Sequence, residues 1–275
     1  MGATEEFKNK IVVITGASGG IGRATSLAFA SRGACLALLA RNRTRLGVLA
    51  AEIESRYNRA SLILEADVCS PVEVQKGIQK ATDHYGRIDY LINGAGIISF
   101  KPFLELSPEE LHAMMSVNYL GTAACIRAVL PMMLERRSGH IVNIASIAGR
   151  RGFPMETGYC ASKFAVVGFS EALRVELTGT GVGVSLLCPG IVDTPMSSDF
   201  LNLPGIRKEV RPLSADQIAS HLLQMVTEKR VESILPLSTK LVVRLNSVAP
   251  RWADWIIRKR TNRIAELIAK SVPQP

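Results

Sequence analysis

Tyr159 and Lys163 stand four residues apart in a stretch, Thr157 to Gly179, whose pattern predicts a helix. That spacing puts both on one helical face. A phenol titrates near about pH 10, too high for easy proton exchange at neutral pH, and a neighbouring ammonium favours the phenolate and lowers that value. The pair therefore suits general acid–base work on an oxygen. Ser146 lies thirteen residues upstream, at the end of an apolar run. A hydroxyl there is placed to hydrogen-bond a substrate oxygen on which negative charge develops. Cys160 adjoins the tyrosine but points about 100° around the helix, and reads as packing. Ser146 sits in Ala-Ser-Ile-Ala-Gly, not the Gly-x-Ser-x-Gly of a hydrolase elbow.

A second chemical signal lies near the start of the chain. Thr15-Gly16-Ala17-Ser18-Gly19-Gly20-Ile21-Gly22 follows one apolar run and opens a helix. Glycines in such a turn let backbone N–H groups approach a pyrophosphate at the positive end of the helix. The spacing differs from Gly-x-Gly-x-x-Gly, so a plain strand–helix turn is the competing reading. The second apolar run ends at Arg41, with Arg43 beyond it and no carboxylate to hold a ribose hydroxyl. Arginine suits a 2′-phosphate, which favours NADP(H) and leaves NAD(H) open.

These residues need a scaffold. Ile11–Thr15, Cys35–Ala40, Ser61–Glu65, Ile88–Asn93, His140–Ala145, Val182–Cys188 and Ile234–Leu237 read as strands. Gly20–Arg32, Thr44–Tyr57, Pro71–Tyr85, Pro108–Arg136 and Thr157–Gly179 read as helices between them, and Ser214 to Gln217 as a capping box opening another to about Glu228. Strands apolar throughout, alternating with helices, predict an α/β fold: a Rossmann-like doubly wound parallel sheet of about seven strands, with helices on both faces. Residues 1–239 form one dinucleotide-binding domain, with a lid at about 190–213. Residues 240–275 form a basic amphipathic helical extension.

With these pieces in order, the chain resembles the short-chain dehydrogenase/reductase family in its shorter, single-domain branch. The matching segments are Thr15–Gly22, Asp67-Val68, Asn93-Gly94-Ala95-Gly96, Asn118, Ser146, Tyr159 to Lys163 and Pro189-Gly190, spread over about residues 8 to 235. The resemblance implies a catalytic set of Asn118, Ser146, Tyr159 and Lys163, with Asn118 holding a water that links Lys163 to solvent. It implies cofactor contacts at Gly16, Ser18, Gly20, Ile21, Gly22, Arg41, Arg43, Asp67, Val68, Asn93, Ala95, Gly96, Tyr159, Lys163, Pro189, Gly190, Val192 and Thr194, with Ile191 in the same turn. Gly94 departs from the common pattern, and Gly19 stands where NADP-preferring members often carry a basic residue. The resemblance also implies dimers or tetramers built on the helices holding Asn118 and Tyr159.

Phe153, Met155, Ile97, Ile98, Met196, Phe200, Leu201, Leu203 and Ile206 all flank these motifs. Converging, they would make an apolar pocket for a small hydrophobic ketone or alcohol; singly, each could be ordinary core. No run approaches the roughly 18 apolar residues of a membrane span. Five scattered cysteines read as reduced thiols, which points to a cytoplasmic setting, and neither they nor the four histidines have metal-ligand spacing. The net charge of +9 is uneven: residues 240–275 hold eight Lys/Arg against Asp254 and Glu266, or +6. Trp252, Trp255, Ile256, Ile257, Ile264, Leu267 and Ile268 recur there at helical spacing, with Arg258, Lys259, Arg260 and Arg263 between them. The extension fits packing on a subunit, covering the active site, or peripheral contact with an anionic membrane. No nucleic-acid module accompanies its charge. A non-catalytic nucleotide sensor is the alternative to an enzyme.

Overall fold

The computed structural model describes residues 6–271; the side chains of Val242, Arg244, Ser247, Arg260 and residues 263–271 lie outside the description. Seven parallel strands form the main sheet: β1 (Ile11–Thr15), β2 (Cys35–Ala40), β3 (Ser61–Glu65), β4 (Tyr90–Asn93), β5 (Gly139–Ile144), β6 (Val182–Pro189) and β7 (Glu232–Leu235), in the order β3-β2-β1-β4-β5-β6-β7. Between them run α1 (Gly20–Ala30), α2 (Arg43–Tyr57), α3 (Pro71–Tyr85), α4 (Pro108–Met115), α5 (Gly121–Glu135), α6 (Thr157–Glu176) and α7 (Ala215–Thr227). This is the doubly wound architecture expected from the sequence. Strands β1 and β2 are buried almost throughout because helices cover both faces. One apolar layer gathers Ile14, Phe29, Leu36, Leu38, Leu49 and Leu222; the opposite one gathers Val13, Leu39, Leu91, Cys125, Val129 and Ile141.

The strand order reverses between β1 and β4. At such a switch point the loops leaving the two strands part, and a crevice opens at their C-terminal ends. The other end is stitched shut: the Asp89 carboxylate accepts from the Ile11 N–H at 2.9 Å and pairs with Arg87 and Arg136. Burial pushes that carboxyl up, but the hydrogen bonds outweigh it and hold its pKa below the usual range. Asp89 precedes the ladder, so β4 begins two residues later than the sequence pattern suggests.

The predicted helix Pro108–Arg136 is continuous but not uniform. A π-helical turn over Ser116–Leu120 joins α4 to α5. Taken whole, Pro108–Glu135 is long and apolar enough to cross a membrane, against the sequence reading. Its Cys125, Ile126, Val129 and Met133 are instead core residues against the sheet. Pro189 to Leu213 is less open than a plain loop. Val192 and Asp193 pair with Leu213 and Ser214, closing its base, and short helices Ser198–Leu201 and Ile206–Val210 fill it. The Ser214/Gln217 capping box is formed. After β7 come α8 (Thr239–Val248) and α9 (Pro250–Ser271).

Candidate active site

The glycine turn is built by close approach. Gly16 has φ +68°, and a Cβ there would lie 2.8 Å from the Ala95 backbone. Gly20 has φ +52° and faces the Thr194 side chain. Thr15 completes the joint: its hydroxyl oxygen accepts the N–H groups of Gly94 and Ala95 at 3.1 and 3.2 Å. The segment after β4 and the turn after β6 therefore both lie against the glycine turn, at the N-terminus of α1. That terminus has no side-chain cap, so its N–H groups are left for a ligand.

Ser146 ends the segment after β5 in extended backbone. Its oxygen accepts from Ala148 N–H at 3.1 Å, and its hydroxyl donates to the Pro189 carbonyl at 3.3 Å. Gly149 lets this loop rest on α6, since a Cβ there would stand 2.5 Å from the Lys163 carbonyl oxygen. The Ser146 side chain also acts on the Tyr159 phenol, favouring its ionised form. Lys163 Nζ donates to the Ile144 carbonyl at 3.0 Å and lies 5.7 Å from the centre of the Tyr159 ring. The three side chains are 9% exposed or less. They converge at the C-terminal ends of β5 and β6, where the crevice opens.

Asn118 joins them from the π-turn. Its Oδ1 accepts from Ile97 N–H at 2.8 Å, and its Nδ2 donates to Ile97 O at 3.0 Å and Ser162 Oγ at 2.8 Å. The side chain clamps the end of β4 to α6. Gly96 fits beneath it, where a Cβ would stand 3.2 Å from Asn118 Oδ1 and 3.7 Å from Lys163 Nζ.

A cleft of about 540 Å³ runs over this group, lined by Ile21, Gly94, Gly96, Ser146, Tyr159, Lys163, Pro189 to Val192 and Thr194. Of the expected apolar residues, Ile98, Phe153, Met155, Met196 and Phe200 also line it, the last stacked on Phe100 at 5.2 Å. Ile97, Leu201, Leu203 and Ile206 do not; Leu201 and Ile206 are buried in the body instead. The sequence missed Glu156 and Arg211 in the wall, and Ile256, Ile257 and Thr261 of α9 in the roof. Met155 carries φ +65° and its carbonyl oxygen accepts from Lys101 N–H at 2.9 Å, a strained backbone held at the site.

The other expected contacts sit farther along the crevice. Asp67 accepts from Cys69 N–H at 2.9 Å, and Val68 is buried against Gly121. The Asn93 side chain turns away to donate to Asn143 at 2.9 Å, so it braces β4 against β5 rather than lining the cleft. Arg41 is exposed and 3.9 Å from Asp67; Arg43 is 3.7 Å from Glu65. Among the described residues no cluster could hold a metal ion.

The electrostatics correct one expectation. Burial raises the Tyr159 phenol above the usual tyrosine range, opposed by the Ser146 side chain and helped by Glu156. Burial also lowers Lys163 to about 8, and for the phenol desolvation is the largest influence. Glu156 is raised to about 7 by burial. A carboxyl raised in the folded state stabilises the fold relative to its ionised form below about 4.5 and loses that advantage as pH climbs through about 7. Glu156→Gln is therefore expected to melt with wild type near pH 4 and above it at pH 8, as read by calorimetry across that range.

The sequence pattern of the family described as short chain dehydrogenase matches residues 10–202. This chain belongs to the short-chain dehydrogenase family. An uncharacterized oxidoreductase of Staphylococcus saprophyticus is 37% identical over 229 residues, 83% of this chain and 97% of the relative. Among solved structures, a short-chain dehydrogenase/reductase of Burkholderia phymatum in complex with NAD superposes with a TM-score of 0.82 at 29% identity, covering 90% of this chain and 96% of that one. An alcohol dehydrogenase of the archaeon Thermococcus sibiricus complexed with 5-hydroxy-NADP gives 0.75 at 32% identity, covering 82% and 95%. As a short-chain dehydrogenase the chain is an oxidoreductase of a family that uses NAD(P)(H). The glycine turn, the uncapped helix terminus and the glycine-floored cleft fit such a dinucleotide.

Proposed function

We propose that this dehydrogenase interconverts a small hydrophobic ketone and its secondary alcohol with NADP(H), Tyr159 serving as general acid and base. The observation that carries the reading is the convergence of Tyr159, Ser146 and Lys163 on one cleft floored by Gly94 and Gly96. When bound, the dinucleotide supplies or accepts the hydride. Ser146 hydrogen-bonds the substrate oxygen where charge develops. Tyr159 gives that oxygen its proton in reduction and takes it back in oxidation. Lys163 holds the ribose hydroxyls and, with Asn118 anchoring a water beside it, passes the proton on. The turn residues Gly16, Ser18, Gly20, Ile21 and Gly22 hold the pyrophosphate, Asp67 and Val68 the adenine, and Ala95, Gly96, Pro189, Gly190, Val192 and Thr194 the nicotinamide end. The apolar wall of Ile98, Phe100, Phe153, Met155, Met196 and Phe200 supports a hydrophobic substrate.

Arg41 supports NADP(H), reaching the 2′-phosphate from the end of β2. Its placement 3.9 Å from Asp67 and the glycine at position 19 favour the second reading, NAD(H). Turnover of a ketone panel with NADPH and NADH in parallel separates them. Losing a charge-assisted contact costs about 1.5–3 kcal/mol. Arg41→Ala is thus expected to raise KM for NADPH by roughly ten- to a hundredfold and leave KM for NADH within about twofold. An NADH preference in the unaltered protein sinks the role of Arg41. Exposed Leu120, Phe164 and Val175 on the helices carrying Asn118 and Tyr159 support a homo-oligomer. Five free cysteines support a reducing, cytoplasmic setting.

A further inference from the structure

We infer that the outer face of α8 and α9 docks on an anionic lipid surface, so that the cleft beneath these helices takes its substrate from that surface. The inference rests on the hydrophobic-substrate reading above. Helix α9 has two faces with different duties. Ala253 and Ile257 are 0% and 8% exposed, and Ile256, Ile257 and Thr261 form the roof of the cleft. About half a turn away, Trp252 and Trp255 are 66% and 58% exposed. Arg251, Arg258 and Lys259 are exposed beside them, with Lys259 Nζ 5.5 Å from the Trp255 ring. Leu237, Leu241 and Val248 extend the exposed apolar residues back along α8 to the end of β7.

Two tryptophans set among cations, on a helix whose other face is packed, match an interfacial helix: rings at the headgroup level and charges on the phosphates. The face is held in place rather than loose. Arg151, five residues beyond Ser146, bonds both Asn246 of α8 and Asp254 of α9. The charge argues against a second copy as the occupant. A two-fold pairing brings the same patch against itself, and so Arg251, Arg258 and Lys259 against their own copies, within an extension of net charge +6. An anionic surface removes that repulsion, and it is also where a hydrophobic ketone concentrates.

The chain has two tryptophans, and both are on this face. Their emission therefore reports its surroundings directly. The full-length protein is titrated with vesicles of phosphatidylglycerol and phosphatidylcholine, and with phosphatidylcholine alone. The expected result is a blue shift and co-sedimentation with the anionic vesicles only, both reversed by about 1 M salt. The double variant Arg258→Glu, Lys259→Glu is expected to bind at least tenfold more weakly, with turnover of a water-soluble ketone unchanged. Turnover of a long-chain methyl ketone in the vesicles should fall in that variant. No shift with anionic vesicles, or an equal shift with neutral ones, overturns the inference. So does an emission already blue in buffer that moves red on dilution, which would mean a second copy covers the face. Tyr159→Phe protein should bind vesicles like wild type, so failure of the oxidoreductase reading and failure of docking give different results.

Discussion

Tyr159→Phe is expected to lower kcat by about 10²- to 10⁴-fold while dinucleotide affinity stays within about twofold. The substitution removes one oxygen. The ring remains packed with Leu106, Met114, Ala148 and Cys160, so the fold keeps its contacts. What goes is the hydroxyl proposed to carry the proton, beside Ser146. Steady-state turnover and a fluorescence titration of NADPH separate the two quantities. Turnover surviving in the phenylalanine protein would remove Tyr159 from the chemistry and favour a nucleotide sensor.

Dinucleotide binding should collapse with a single methyl group at Gly22. A Cβ there would lie 2.8 Å from the Gly16 carbonyl carbon, and closer still to its oxygen. Both atoms are backbone, so the turn itself must open, and overpacking of this kind costs about 1–3 kcal/mol. Opening it moves the N–H groups off the pyrophosphate position, so Gly22→Ala is expected to weaken NADPH binding by roughly ten- to a hundredfold. Gly19→Ala is the control, since a Cβ at Gly19 meets nothing within 4 Å. Calorimetric titration of both variants checks the pair. Equal affinities would mean the turn does not hold the dinucleotide.

The strands were legible because burial on both faces leaves a run of apolar residues with no polar alternation, as in Val12 to Ile14. The pairing of Tyr159 with Lys163 was legible for another reason: both are local to one helix, and local spacing carries through folding. What escaped was long-range. The spacing of α9 revealed that it has two faces but not that Ile256 and Ile257 roof the cleft. Leu201 and Ile206 looked the same in sequence as Met196 and Phe200, yet the first pair packs inward and the second lines the cleft. Glu156 carried no signal, because its raised pKa comes from burial, which the residues around it in sequence do not reveal. The phenol's pKa was misjudged by counting a nearby charge and omitting desolvation.

The π-turn over Ser116–Leu120 is the trace of one extra residue wound into a helix. Deleting a residue there would restore a regular hydrogen-bond ladder from Pro108 to Glu135. It would also rotate α4 by about 100° against α5 and carry Asn118 away from Ile97 and Ser162. Here local regularity and the anchored amide are incompatible. A design that optimised this helix for stability alone would produce a firmer protein with β4 and α6 no longer clamped beside the cleft.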